Sequence, residues 1–331
     1  VKDLIKKVTE AFGPSGAEDS VREVIRKEIE PYVHEIRVDA LGNLIALKKG
    51  KGGGKKVILD GHMDEIGLMV THIDDKGFLR FGNIGGVNPF VALGQRVYFE
   101  NGTMGVIGSE RVDDPKDLKL EKLFIDIGAK SKEEAAKKVS VGDSCAFYQP
   151  FVDLGDRVVA KAMDDRVACA VIIEVLKRLE DTPNDIYAVF ATQEEVGLRG
   201  ARAAAYGITP DVGIALDVTR TGDTPKARTM EVSLGGGAAI KVKDSSVIAH
   251  PAFKNYMVKV AKEKGIKYQM EVLEAGGTDT AAIQMTKAGI PAGCISIPCR
   301  YIHSPCEMVD MGDVEACVLL AKALCESPLE F

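Results

Sequence analysis

The sequence predicts an α/β protein, with a mostly parallel sheet carrying helices on both faces and a small β-rich domain inserted into it. Three observations carry this. At both ends of the chain, apolar runs of strand length alternate with amphipathic helical segments, the pattern of strands joined by crossover helices. Between them, from about Leu68 to Gly155, the pattern changes to short strands with hairpin signals. The 331 residues, 46% hydrophobic and 28% charged, suffice for a large core and one or two domains. Residues 1–67 and 156–331 are therefore expected to form one discontinuous domain, with 68–155 inserted.

The elements follow in order. Leu4, Ile5, Val8 and Phe12 recur at helical spacing, and Gly13-Pro14 ends that helix. "SGAE" has the form of a capping box, Ser15 with Glu18, ahead of a second helix faced by Val21, Val24, Ile25 and Ile29. "EIRVDALGNLIALKK" reads as two strands around Gly42-Asn43, and "KVILDGHMD" as a buried strand. The loop "GKGGGKK" lacks the Gly-Lys-Ser/Thr ending of a phosphate-binding loop. In the insertion, Asp75-Lys76-Gly77 and Asn101-Gly102 separate paired strand segments, and "SKEEAAKKV" is a short helix. From Arg157 onward, strand segments "RVVAKAMDD", "DIYAVFATQEE", "VGIALDVT" and "AGCISIPCRYIH" alternate with helices that include "RVACAVIIEVLKRLE", "LRGARAAAYG", "NYMVKVAKEKG", "AAIQMTKAG" and "DVEACVLLAKALCE".

Composition narrows the function. A net charge of −6 without basic runs makes nucleic acid and anionic membrane surfaces poor partners. No apolar stretch approaches the ~20 residues of a membrane span. The charged, amphipathic "VKDLIKKVTEAF" is no signal-peptide core, and the seven cysteines lie mostly in apolar runs, as reduced thiols of a cytoplasmic protein do.

Five apolar strands each end in a metal-competent residue. "VILDGHMD" delivers His62 and Asp64, "VVAKAMDD" delivers Asp164 and Asp165, "IYAVFATQEE" delivers Glu194 and Glu195, "VGIALD" delivers Asp217, and "CISIPCRYIH" delivers His303. Taken singly, each fits a turn or cap, and Asp164 or Asp165 could complement a helix N-terminus. Together they are expected in one crevice, because the carboxyl ends of parallel strands line one edge. Carboxylates gathered there without a cation would repel. Imidazole and carboxylate suit zinc, cobalt or manganese, and this many ligands suit two ions with a bridging carboxylate. The doubled glutamate then has a reason: one carboxylate ligates while its neighbour takes the proton of the attacking water. Asp64, two residues past His62, is placed to accept the other imidazole N–H.

These residues, in this order, resemble the co-catalytic metallo-aminopeptidases of the tetrahedral (TET) type. That family includes deblocking and glutamyl aminopeptidases and proteins formerly labelled endoglucanase. The likeness runs through "FGPSG", "LDGHMDEIGLMV", "IGGV", "GVIG", "KAMDDR", "QEEVGLRG", "ALDVT", "GGTD" and "RYIHSPCEMV", essentially the whole chain. It implies a zinc-peptidase-like catalytic domain with two divalent ions, zinc or cobalt, per subunit. By matching motif, the metal ligands are His62, Asp164, Glu195, Asp217 and His303. The resemblance puts His62 and Asp217 on separate ions, Asp164 between the ions, Glu194 as general base and Asp64 as the orienter of His62. Thr278 and Asp279 match a segment near the site. The resemblance also implies that the insertion mediates dimerisation, and that dimers build hollow dodecamers admitting only short peptides.

The chain departs from the family pattern at Val167-Ala168 and at "GGGAAI", neither of which touches a ligand, so both are expected to be packing changes. Arg220 is either a surface arginine or a partner for an acidic substrate side chain. Cys294, Cys299 and Cys306 fit no zinc module and are expected as buried thiols, and His34, His72 and His250 as structural or exposed. Rival readings are another dinuclear-metal amidohydrolase (a carboxypeptidase or N-acyl amino acid deacylase), a glycoside hydrolase and a peptide-binding scaffold. The first is disfavoured by the insertion and "RYIHSP", and the scaffold by an intact acid-base-metal set. The glycosidase lacks a tryptophan platform and leaves the histidines unexplained.

Overall fold

A computed structural model describes residues 1–331. The chain opens with α1 (Lys2–Glu10) and α2 (Asp19–Ile29), then strands β1 (Glu35–Val38), β2 (Leu44–Lys48) and β3 (Lys56–His62). Next come β4 (Gly67–Ile73), β5 (Leu79–Ile84), the single turn α3 (Pro89–Ala92), β6 (Arg96–Phe99), β7 (Met104–Ser109), β8 (Leu123–Asp126), α4 (Lys132–Ala136) and β9 (Ser144–Phe147). The remainder is β10 (Val152–Asp153), β11 (Arg157–Ala160), α5 (Met163–Arg178), β12 (Asp185–Ala191), α6 (Arg199–Ile208) and β13 (Val212–Thr219). After these come β14 (Ala238–Lys243), α7 (Pro251–Glu263), β15 (Tyr268–Val272), α8 (Asp279–Gln284), β16 (Ala292–Arg300), β17 (Glu307–Asp310) and α9 (Met311–Glu326).

The large sheet runs β1-β2-β12-β3-β13-β16-β17-β11-β10, with β14 and β15 attached beside β16. Only its centre is parallel. β12, β3, β13 and β16 pair in parallel, as do β14 and β15, while the flanking pairs are antiparallel. The expected mostly parallel sheet is thus a parallel core with antiparallel flanks. The flanking strands are joined by short connections: β1 and β2 by the turn at Gly42, β10 and β11 by Leu154–Asp156, and β16 and β17 by the Tyr301–Cys306 loop. Such connections reverse the chain instead of returning it through a helix.

Strand alternation divides the core between two faces. Leu44, Ala46, Val57, Leu59, Ala188 and Phe190 join a cluster with α1, α2, α5, α7 and α9, while their neighbours Ile45, Ile58 and Val189 face α6 and α8. With both faces covered, the central strands read as nearly continuous apolar runs.

Strands β4-β5-β8-β7-β6-β9 close a barrel with its own apolar cluster, among them Leu68, Val70, Phe81, Val97, Phe99, Ile107 and Ile125. Gly77 and Gly102 have positive φ at the two hairpin turns, where a side chain would be strained. Val152–Asp153, just beyond the barrel, pairs with β11 in the large sheet.

The capping box at Ser15–Glu18 does not form. Glu18 is itself the residue preceding α2, no side chain caps that helix, and Ser15 Oγ turns instead to Asp64. Val167 and Ala168 are fully buried in α5, where Ala168 lies close against Gly61. Cys294 and Cys299 are buried as expected, but Cys306 is exposed because it lies in the loop between β16 and β17. All seven thiols are free. His34 and His72 are exposed, and His250 Nδ1 accepts the N–H of Phe253 at the start of α7. No helix is long and apolar enough to cross a membrane.

Candidate active site

The parallel centre delivers its functional side chains to one edge. His62 is the last residue of β3, and Asp217 lies two residues short of the end of β13. Glu194 and Glu195 follow β12, and His303 follows β16. Asp164 follows β11, which runs in the direction of β16 because two antiparallel pairings separate them. Gln193 (φ 55°) and His303 (φ 63°) hold left-handed backbone, uncommon for non-glycine residues and concentrated at sites where surrounding structure dictates the turn.

Asp164 is the hub. Its Oδ1 lies 3.1 Å from His62 Nε2 and its Oδ2 lies 3.4 Å from His303 Nε2. His303 Nε2 is also 3.3 Å from Glu195 Oε2, and Glu194 Oε2 is 3.8 Å from His62 Nε2. Asp64 Oδ1 stands 3.3 Å from His62 Nδ1, a close contact without hydrogen-bond alignment. Asp64 also accepts the N–H groups of Glu194 at 3.0 Å and Glu195 at 3.2 Å, so it fixes the doubled-glutamate turn as well as facing the imidazole.

The resemblance put His62 and Asp217 on separate ions, but their ligand atoms lie close together. Ligand atoms of His62, Asp165 and Asp217 lie within 4.8 Å of one another, because β13 is the immediate neighbour of β3. Those of His62, Asp164 and Glu195 form a second such group. His62 and Asp217 are thus close enough to serve one ion, while His62 also belongs to the group of Asp164 and Glu195.

The electrostatics are those of crowded acids. Burial pushes the carboxyls of Glu194, Asp165 and Asp217 well above the usual range, and raises Glu195. Burial would raise Asp164 too, but hydrogen bonds with His303 and His62 prevail and hold it low. Burial opposes charge on both imidazoles. At His62 the carboxylates of Glu194, Asp164 and Asp64 overcome it, and at His303 those of Asp164 and Glu195 push the pKa up to about 11. Glu195 Oε1 and Asp165 Oδ1 are buried with no hydrogen-bond partner. A buried acid without a partner is costly, and here several converge on two imidazoles. The donor set fits divalent cations of the zinc and cobalt kind.

Asp164, Glu194, Glu195, Asp217 and His303 line a cavity of about 330 Å³, and a second of about 640 Å³ adjoins it across His303 and Arg220. Arg220 is exposed and lines both. On the barrel side, Gly85 and Gly86 come closest to the ligand groups, and Asn88 and Val91 line the larger cavity. A Cβ on Gly86 would stand 2.6 Å from His303 Nδ1, and one on Gly85 would stand 3.0 Å from Glu195 Oε2.

The structure brings His62, Asp64, Asp164, Glu194, Glu195, Asp217 and His303 together. It adds residues that sequence reasoning missed. Glu307, fully buried, accepts the N–H of Asp164 at 2.9 Å and of His303 at 2.7 Å, joining two loops far apart in the chain. Its only sequence signal was an acid at the start of an apolar strand four residues past His303. Asp60 and Asp279 are buried side by side behind His62, and burial pushes Asp60 up to about 7. Asp279 gives "GGTD" a place in the site, and Asp60 was legible as an acid in the middle of an apolar run.

Residues 42–320 match the M42 glutamyl aminopeptidase family. A putative aminopeptidase of Acetivibrio thermocellus is 54% identical, covering 98% of each chain. Among solved structures, an aminopeptidase from the archaeon Desulfurococcus kamchatkensis superposes with a TM-score of 0.95 at 43% identity, covering 98% of this chain and 95% of its own. The TET1 peptidase of Pyrococcus horikoshii, which can assemble into a tetrahedron or a large octahedral shell, gives a TM-score of 0.89 at 35% identity over 98% of each chain.

Proposed function

The chain belongs to the M42 glutamyl aminopeptidase family, and on that premise we propose that it releases N-terminal residues from short peptides with two divalent ions and Glu194 as general base. It is a metal-dependent peptide hydrolase. The observation that carries the two-ion reading is Asp164, whose two oxygens face two different histidines. His62 and Asp217 would hold one ion, Glu195 and His303 the other, and Asp164 would bridge them. Zinc or cobalt fits this donor set.

Divalent ions bound there would polarise the scissile carbonyl and lower the pKa of a water to about 7. The chain's own groups do the rest. Glu194 accepts the proton of the attacking water and passes it to the leaving amine. Its carboxylate stands 3.8 Å from His62 Nε2, at the edge where the ions would bind. Asp64 holds the two glutamates by their backbone and keeps the His62 ring oriented. Hydrolysis of aminoacyl-p-nitroanilides, N-blocked peptides and carboxymethyl cellulose, each with and without cobalt or zinc, tests the assignment. Metal-dependent release from the free N-terminal substrates is expected, and turnover of blocked peptides or cellulose alone would contradict it.

The large-sheet unit acts as the catalytic domain, and the barrel of the 68–155 insertion acts as a dimerisation domain, with Val152–Asp153 at its end returned to the large sheet. Exposed apolar residues on the barrel, Phe90, Met104, Val106 and Val141, support a contact role. Dimers then build a dodecamer, in keeping with the large assemblies of the TET1 peptidase. Seven free thiols suit a cytoplasmic setting.

A further inference from the structure

The turn Gly13–Glu18, expected to cap a helix, instead braces the doubled-glutamate loop. Its backbone is locked to the exit of β3, since Ser15 N–H donates to Glu65 O at 3.3 Å and Glu65 N–H to Gly13 O at 3.1 Å. From this anchor, Ser15 Oγ donates to Asp64 Oδ2 at 2.6 Å. Glu18 Oε1 accepts the N–H of Gly16 at 2.8 Å and that of Gln193 at 3.2 Å. Asp64 takes the next two amides, Glu194 and Glu195. Three consecutive N–H groups of the loop thus end on two buried carboxylates. The turn supplies one of these and holds the other.

This arrangement has a physical purpose. Gln193 is a non-glycine residue in left-handed backbone, a conformation that persists only where its surroundings impose it. Glu194 and Glu195 must face different tasks from adjacent positions, and their directions are set by the backbone between them. We infer that Ser15 and Glu18 are positioning residues for the general base, Ser15 by aiming Asp64 and Glu18 by pinning Gln193. The inference rests on the reading of Glu194 as base.

Its test uses Ser15→Ala, Glu18→Ala and Glu18→Gln in the full-length protein. In the metal-free protein, amide hydrogen exchange at Gln193–Glu195 should quicken at least about tenfold in Ser15→Ala and Glu18→Ala, with α9 unchanged. In the metal-loaded enzyme, kcat should fall about 10–100-fold, with KM within about twofold. Glu18→Gln, whose amide oxygen still accepts, should stay near the wild-type rate. Adding Ser15→Ala to Asp64→Asn should cost little more than Asp64→Asn alone, because Ser15 acts through Asp64. Unchanged exchange and kcat in Ser15→Ala, or losses that multiply in the double variant, would overturn the inference. Should Ser15→Ala not fold, equal rates for Glu18→Ala and Glu18→Gln would overturn it, and a slow Ala beside a fast Gln would support it. A Glu194→Gln variant at wild-type rate would overturn the parent assignment of the base, and the exchange rates would still decide whether the turn braces the loop.

Discussion

The carboxyl edge of the parallel strands and the barrel that meets it have opposite interiors. The edge buries Asp60, Asp64, Asp164, Asp165, Asp217 and Asp279 beside His62, an accumulation of charge-bearing groups that no core needs for stability. The barrel buries aliphatic and aromatic side chains, and it meets the crevice with the bare backbone of Gly85 and Gly86 and the uncharged side chains of Asn88 and Val91. One region carries reactive groups at a cost in desolvation. The other carries shape, at little electrostatic cost. Substitutions at the edge should therefore change chemistry and metal content, and substitutions in the barrel should change fit and assembly.

The sharpest break in this comparison lies within the edge itself. Glu194→Gln keeps shape but cannot accept a proton, so kcat should fall ~10²–10⁴-fold or more with metal content intact. Glu195→Gln should weaken metal binding, with partial rescue by excess metal. Turnover and bound metal measured for both variants under one metal check this, and the opposite pattern would reverse the two roles. From the barrel side, Gly86→Ala should press on His303 and cost about 10²-fold in activity, since small misplacements of a catalytic group cost that much. The fold and the assembly should survive it, as light scattering and melting curves would report.

Protons give the next contrast. In the metal-free protein Asp217 and Glu195 are raised, and His62 and His303 are raised as well, so near neutral pH the edge holds protons that ligation must displace. Metal affinity should therefore rise with pH, about tenfold per pH unit for each proton displaced. Calorimetric titrations in buffers of different ionisation enthalpy would count those protons, and an affinity flat from about pH 6 to 8 would refute the account. The smallest effect belongs to Arg220 on the cavity wall. Arg220→Ala should raise KM about 2–5-fold for substrates with an acidic first residue and leave neutral ones unchanged, the scale of an exposed ion pair. Paired kinetics on glutamyl and leucyl substrates would detect it.

Much of the edge was legible in the sequence because period and polarity coincide there. An apolar run buried on both faces has no use for a terminal His or Glu, so each such ending stood out, and five of them gave the site. The parallel centre followed from the same alternation. The flanking strands did not, because short β1, β10 and β17 carry no period long enough to give their direction. Ser15 and Glu18 were visible but misread. A capping box and a loop brace place the same residue types at the same spacing, and only the partner across the fold tells them apart. Glu307 and Gly86 act through distances of closest approach, which sequence spacing does not encode. That His62 and Asp217 come close together depends on which strands are neighbours, so it needed the sheet order.

The central claim is that Asp164 joins two ions at the strand edge. Elemental analysis of protein stripped of metal, reconstituted with zinc or cobalt and freed of excess, tests it most directly. About two equivalents per chain are expected in the wild type, with a large loss of both in Asp164→Asn. A fully active preparation holding no divalent metal, or an Asp164→Asn variant that still binds two equivalents, would contradict it.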